Sequence, residues 1–142
     1  MVEKKITTMF LLGKYGSGKD THAPFIANKF NLIHLSFSSF LSQNSDVRKN
    51  YIERGLLVPD SDVFRILASY SMKGILFNGF PRTIDQLRFI LRQCQIDDIA
   101  MVYLDVTDDI AIRRMENRLV CIVCATATSQ LKGHVVGGPC KD

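Results

Sequence analysis

No apolar run in this chain approaches the roughly 18 residues needed to cross a bilayer. The short stretch from Met9 to Leu12 behind Lys4 and Lys5 is too brief for a signal peptide. A membrane partner and export are therefore not expected, and the expected location is the cytoplasm. Internal repeats, low-complexity tracts and long linkers are missing too. With 46% hydrophobic and 23% charged residues, the composition is not that of a disordered chain, a collagen or a coiled coil. The net charge of +4 is not gathered in one basic run. Scattered arginines favour a small anionic ligand over a nucleic-acid groove, so no nucleic-acid partner is expected. The 4 cysteines, without an export signal, argue against a disulfide framework. Cys94 stands apart and reads as a buried small apolar residue, whereas Cys121, Cys124 and Cys140 crowd the C-terminal end with metal-like spacing.

What is present, over 142 residues, is an alternation of strand-like and helix-like stretches. That alternation builds an α/β domain in which helices cover a parallel sheet. Ile6 to Leu12 reads as a buried strand and Thr21 to Phe30 as a helix, with Pro24 tolerated in its first turn or at a kink. Leu32 to Leu35 is a short second strand, Asp46 to Arg54 a helix stopped by Gly55, and Leu57 to Asp60 a loop. Ser61 is positioned to cap a helix reaching about Met72, and Ile75 to Phe77 is a third buried strand. Thr83 caps a helix whose residues Ile84, Leu87, Ile90 and Leu91 share one face. Ile99 to Val106 is the fourth strand. Thr107, Asp108 and Asp109 give an N-cap and acidic first turn to a helix reaching about Asn117. Beyond Leu119, cysteine, glycine and β-branched residues mark a small insert and not another βα unit.

The chemistry concentrates between the first strand and the first helix, in Gly13-Lys14-Tyr15-Gly16-Ser17-Gly18-Lys19. This is the G-x-x-x-x-G-K core in the context that gives it meaning. Its glycines let successive backbone N–H groups face phosphate oxygens, the helix N-terminus adds partial positive charge, and Lys19 reaches the transferring phosphate. Asp20 stands where many such loops place Ser or Thr for magnesium, and Thr21 follows. A carboxylate there either weakens nucleotide binding by repulsion or takes part in metal binding.

Taken with three further stretches in matching order and spacing, this loop resembles the adenylate kinase family of nucleoside monophosphate kinases, over nearly the whole chain. The matching stretches are Leu57 to Asp60, Asn78-Gly79-Phe80-Pro81-Arg82, and a zinc-type lid that begins near Cys121. The resemblance implies a P-loop NTPase-like parallel sheet of about four strands, helices on both faces, and a partial zinc-ribbon-like lid. Residues 1–118 would form the core, with acceptor-binding helices over about 36–73, and residues 119–142 the lid. It implies reversible phosphoryl transfer from Mg-ATP to a nucleoside monophosphate, AMP foremost, by a monomer. Gly13, Gly16, Ser17, Gly18, Lys19, Asp20 and Thr21 would hold ATP, with Thr21 helping to hold Mg2+. Ser36, Val58, Gly79, Arg82 and Gln86 would hold the acceptor, with Arg82 gripping its phosphate and Gln86 reading its base. Lys19, Arg82, Arg114 and Arg118 would neutralise the charge of the transferring group; Arg114 and Arg118, on one face of the final helix, would also bind ATP, one stacking near its base and the other neutralising phosphate charge as the lid closes.

The acceptor side departs from the family pattern. The family's arginine becomes Ser42, its threonine Phe37, and the aspartate before Gly-Phe-Pro-Arg becomes Asn78. A lost charge-assisted contact implies one to two decades in acceptor affinity or rate, unless Arg48 or Lys49 compensates. In the lid, Cys121, Cys124 and Cys140 have the spacing of a structural Zn2+ site, one ligand short of a second C-x-x-C. A ligand past Asp142 or else His134 or Asp142 would complete it. A lid cut there implies a chain that binds nucleotide but catalyses poorly. Three rivals stand beside this expectation: a kinase of different acceptor choice, a non-catalytic nucleotide-binding protein, and a zinc-stabilised interaction module.

Overall fold

The computed structural model describes residues 6–94, 98–120 and 127–129. The chain divides into two compact units, Met1–Gly13 with Gly18–Leu104, and Lys14–Ser17 with Asp105–Asp142.

The first unit is built on four parallel strands: β1 (Thr8–Leu12), β2 (Ile33–Ser36), β3 (Ile75–Asn78) and β4 (Ile99–Tyr103), in the order β2-β3-β1-β4. Leu11 and Ser36 both stand in register with Asn78, and Leu12 with Tyr103. Side chains alternate across a pleated strand, and both faces of this sheet are apolar. On one face Met9, Leu11 and Leu76 pack with Ala23 and Ala27 of α1 (Lys19–Lys29). The other face carries Phe10 and Phe77, stacked with ring centroids 5.3 Å apart. Onto it pack Phe37, Phe40 and Leu41 of α2 (Phe37–Ser42), Val47 of the single turn α3 (Ser45–Val47), Val63 and Leu67 of α4 (Asp60–Leu67), and Ile90 of α5 (Ile84–Gln93). This is the expected α/β architecture, a parallel sheet with helices on both faces. Among the described residues no helix is long and apolar enough to cross a membrane.

Several elements differ from the sequence expectation. Helix α1 starts at Lys19, so Pro24 lies inside the helix beyond its first turn, where its ring removes the bond to the Asp20 carbonyl. The helix expected over Asp46 to Arg54 is α3 followed by a π-helical turn, Arg48–Ile52. Ser61 does not cap α4: the helix begins one residue earlier, at Asp60 with Pro59 as N-cap, and it stops at Leu67. Thr83 does cap α5, accepting the N–H of Gln86 at 3.1 Å. The buried face of that helix is nonetheless Gln86 and Ile90, while Ile84 is 64% and Leu91 43% exposed. The polar Gln86 takes a place on the buried face, where its amide has partners inside the fold. Cys94 is half-buried, and burial pushes its thiol upward from the ordinary 9.0.

The second unit contains α6 (Asp108–Glu116) and an antiparallel pair, β5 (Arg118–Val120) and β6 (Ala127–Ser129).

Candidate functional site

After β1 the chain turns through three glycines with positive φ, Gly13 at 146°, Gly16 at 77° and Gly18 at 94°. Such turns direct successive N–H groups to one side and form an anion-binding nest. Lys19, the first residue of α1, folds its ammonium back onto the Gly13 carbonyl at 2.6 Å. The Gly18 carbonyl accepts the N–H groups of Thr21 and His22, both at 3.1 Å, which starts the helix and sets its positive end at the loop.

The loop apex, Lys14–Ser17, belongs with α6 in the second unit. Lys14 pairs with Asp108 at 2.5 Å and holds that carboxyl below its ordinary 3.8, through the hydrogen bond first and the charge second. Arg114 donates from Nη1 to the Gly16 carbonyl at 3.0 Å. Gly16 lies so close to the helix that a Cβ there would stand 2.6 Å from the Ala111 carbonyl oxygen. Asp108, Ala111 and Arg114 recur every third residue and so share the helix face that meets the apex.

The turn after β3 supplies the second cluster. The Gly79 N–H donates to the Leu11 carbonyl at 3.0 Å, which ties the turn to β1. The Phe80-Pro81 peptide bond is cis, and the buried Phe80 stacks on Phe37 at 4.2 Å. Arg82 donates from Nε to the Gly79 carbonyl at 2.8 Å, and its backbone N–H donates to Gln86 Oε1 at 2.7 Å. Gln86 Nε2 donates to Asp60 Oδ1 at 2.6 Å, and Thr83 Oγ1 donates to Asp60 Oδ2 at 2.7 Å. Both ends of the Gln86 amide are thus engaged within the fold, and the residue is only 4% exposed.

Because the strands run parallel and in register, Gly13 after β1, Ser36 at the end of β2 and Gly79 with Arg82 after β3 all fall at one edge of one sheet. That carboxyl edge is where open α/β sheets bind ligands. Ser36 also lines an open cleft of about 410 Å³ beside His34, Ser39 and Tyr70. Val58 packs against the core of the first unit. At the same edge Asn78 donates from Nδ2 to Asp20 Oδ1 at 2.8 Å, with His34 Nε2 3.5 Å from the same nitrogen. Burial pushes His34 below its ordinary 6.5, against the opposing pull of Asp20.

Arg118 is not on the helix with Arg114, as the spacing of four suggests. Helix α6 ends at Glu116, Asn117 caps it with Nδ2 donating to the Arg113 carbonyl at 2.7 Å, and Arg118 opens β5 opposite Ser129. Phe37, standing for the family's threonine, is buried in the aromatic cluster. Ser42, standing for its arginine, donates to the Ser39 carbonyl at 2.7 Å, and Arg48 faces Glu53 at 3.4 Å. Cys121, Cys124 and Cys140 lie outside the described residues, among which no three His, Cys, Asp or Glu side chains are placed to hold a metal.

Three relationships go beyond what the spacing revealed: Asp60 as the acceptor for Thr83 and Gln86, the Lys14–Asp108 pair, and the bond between Asp20 and Asn78. None of the three left a signal in the spacing. What Thr83-x-x-Gln86 does signal is a capping box, which assigns the glutamine side chain a backbone partner near the helix start but does not point to Asp60.

A family model described as an AAA domain matches residues 12–119. Curated relatives include the adenylate kinase of Chlamydia pneumoniae, 28% identical over 92% of this chain and 68% of its own length. The adenylate kinase of Rickettsia bellii is 30% identical, covering 82% of this chain and 60% of its own length. That of Caldicellulosiruptor saccharolyticus is 31% identical, covering 94% and 66%. The chain therefore spans about 60 to 68% of the length of these relatives. With the strand, glycine loop and helix in place and the similarity running through nearly all of the chain, this protein belongs to the adenylate kinase family.

Proposed function

We propose that this protein is a nucleoside monophosphate kinase, which transfers the γ-phosphoryl group of Mg-ATP to a nucleoside monophosphate, with AMP as acceptor. One observation carries the reading. A glycine loop that ends in Lys19 and an arginine turn that ends in Arg82 follow two neighbouring parallel strands, β1 and β3, at the same sheet edge. A donor polyphosphate on the loop and an acceptor phosphate at the turn are what this reaction must bring together, since phosphoryl transfer depends on positioning and charge neutralisation.

In this reading the loop amides and Lys19 hold the donor phosphates. Lys19 exchanges the Gly13 carbonyl for a phosphate oxygen, a stronger, charge-assisted partner. Arg82 grips the acceptor phosphate, and the Gln86 amide fixes the backbone from which that arginine projects. Arg114 holds the loop apex in shape, and Arg118 adds positive charge from β5. Magnesium neutralises phosphate charge when bound with the nucleotide. The residues present fit it: Thr21 offers a hydroxyl, Asp20 a carboxylate, and the buried Asn78 an Oδ1 that has no hydrogen-bond partner among the described residues. Structural zinc on Cys121, Cys124 and Cys140 is part of the same reading and is checked by the metal content of the purified protein.

The test is a coupled assay with ATP and AMP, together with Lys19→Met. Loss of one preorganised donor to a developing charge costs about 100- to 1,000-fold, so Lys19→Met should lower kcat by that order. Phosphoryl transfer that survives the substitution would refute the reading. A second acceptor choice is favoured by one observation, the burial of Phe37 where the family carries a threonine. AMP, UMP, CMP and GMP assayed side by side decide between the two.

A further inference from the structure

Two departures, an aspartate at position 20 where many such glycine loops carry Ser or Thr and an asparagine at position 78 where the family carries an aspartate, meet in space. Asn78 Nδ2 donates to Asp20 Oδ1 at 2.8 Å, across 58 residues of sequence. The site therefore keeps one carboxylate and one amide, with the charge moved from the end of β3 to the first turn of α1. Asp20 is exposed, whereas Asn78 is 5% exposed. The Asn78 amide has its nitrogen satisfied and its oxygen unpartnered among the described residues. A buried acceptor without a donor is uncommon in a folded protein and points to a water or ion that completes it.

We propose that Asp20 and Asn78 form a split cation seat, in which Asp20 supplies the charge and Asn78 orients it, for the hydrated divalent cation that travels with the nucleotide. The proposal rests on the kinase reading above and adds to it that the carboxylate and the amide act as one hydrogen-bonded pair, with the charge on Asp20. Magnesium suits such a seat because it retains several waters and takes only one or two carboxylates, the remaining ligands being phosphate oxygens. The bond from Asn78 does not exhaust Asp20, since a carboxylate accepts up to about four hydrogen bonds. The Asn78 Oδ1 is an acceptor for a hydrogen of a metal-bound water. Without the cation, a carboxylate on the residue next to Lys19 repels the polyphosphate held by the glycine loop. Asp20 should therefore oppose metal-free ATP and favour Mg-ATP. A purely structural helix residue has no reason to show that reversal of sign.

The experiment is calorimetric titration of the full chain with ATP, once in excess chelator and once in excess Mg2+. It compares wild type, Asp20→Asn, Asp20→Ser and the exchanged pair Asp20→Asn/Asn78→Asp. Wild type should bind ATP more tightly with Mg2+. Asp20→Asn should bind metal-free ATP as well as wild type or better, yet lose about tenfold or more of the gain from Mg2+. The exchanged pair should recover most of that gain, because its carboxylate and amide have traded places. Asp20→Ser, which keeps an acceptor for the Asn78 amide, repeats the measurement should Asp20→Asn prove unstable. A gain from Mg2+ that is the same in wild type and both single variants would overturn the proposal, as would an exchanged pair no better than Asp20→Asn. A wild-type chain that ignores ATP in both buffers would instead sink the kinase reading itself.

Discussion

Arg114 of α6 donates from Nη1 to the carbonyl of Gly16 at 3.0 Å, so the apex of the glycine loop is shaped by a helix almost one hundred residues later in the chain. Lys14 with Asp108 and Gly16 against Ala111 complete the contact along the same helix face. The glycine at position 16 is required twice, once by its φ of 77° and once by the 2.6 Å that would separate a Cβ from the Ala111 oxygen.

Gly16→Ala is therefore expected to deform either the loop or the helix. A left-handed non-glycine residue costs about 1–2 kcal/mol before any clash is counted. In a chain of this size each kcal/mol lowers the melting temperature by about 2–4 °C. Thermal denaturation should show a drop of about 4 °C or more, and ATP should restore less stability than it does in wild type. An unchanged melting curve would mean that the apex and α6 do not meet in solution.

The Lys14–Asp108 pair makes a prediction about pH. The Asp108 carboxyl is held below 3.8, so the folded chain gives up this proton at lower pH than the unfolded chain. The pair's stabilising effect is complete above the unfolded value and fades as pH falls through the folded one. Asp108 is exposed and Lys14 only partly buried, so the effect on global stability is small and a local readout is needed. NMR titration of the Asp108 carboxyl carbon should give a midpoint below 3.8, and Lys14→Met should raise it toward 3.8. Coincident midpoints in the two proteins would show that the pair does not persist in solution.

The features legible in the sequence were those with a local cause. The strand–glycine loop–helix unit, the four strands, of which β1 and β3 are the buried ones, and the Thr83 cap each follow from a periodicity or a residue whose backbone preference acts on its neighbours. The illegible ones depend on partners far along the chain. Gln86 is buried because Asp60 and the Arg82 amide await it, and nothing within the α5 sequence announces Asp60. Arg118 left the helix because Asn117 turned its side chain back onto the Arg113 carbonyl, a capping choice that a spacing of four does not reveal. Asp20 and Asn78 read separately as two oddities, and only the packing of α1 beside β3 brought them together.

The Gln86 network separates a structural duty from a base-reading one. In Gln86→Leu the Arg82 N–H and Asp60 lose a buried partner, which costs about 1–3 kcal/mol. Urea denaturation should show a lower midpoint at unchanged slope, accompanied by a raised acceptor KM as Arg82 loses its anchor. If Gln86 serves only the acceptor base, the urea curve stays where it is and the acceptor KM alone moves.

Ser42 offers a gain-of-function test on the acceptor side. Its hydroxyl makes one bond, to the Ser39 carbonyl within the last turn of α2, so replacing it should cost the fold no more than about 0.5 kcal/mol. Ser42→Arg restores the residue that the family carries there. A single charge-assisted bond of about 1.5–3 kcal/mol corresponds to one to two decades. The acceptor KM should fall by about ten- to hundredfold, and the KM for ATP should stay fixed because the glycine loop is untouched. Steady-state kinetics with each substrate varied in turn checks both halves. An acceptor KM that does not respond would mean that the acceptor phosphate is held away from α2, with Arg82 the cation left to grip it, and the replacement of that arginine by serine would then carry no penalty.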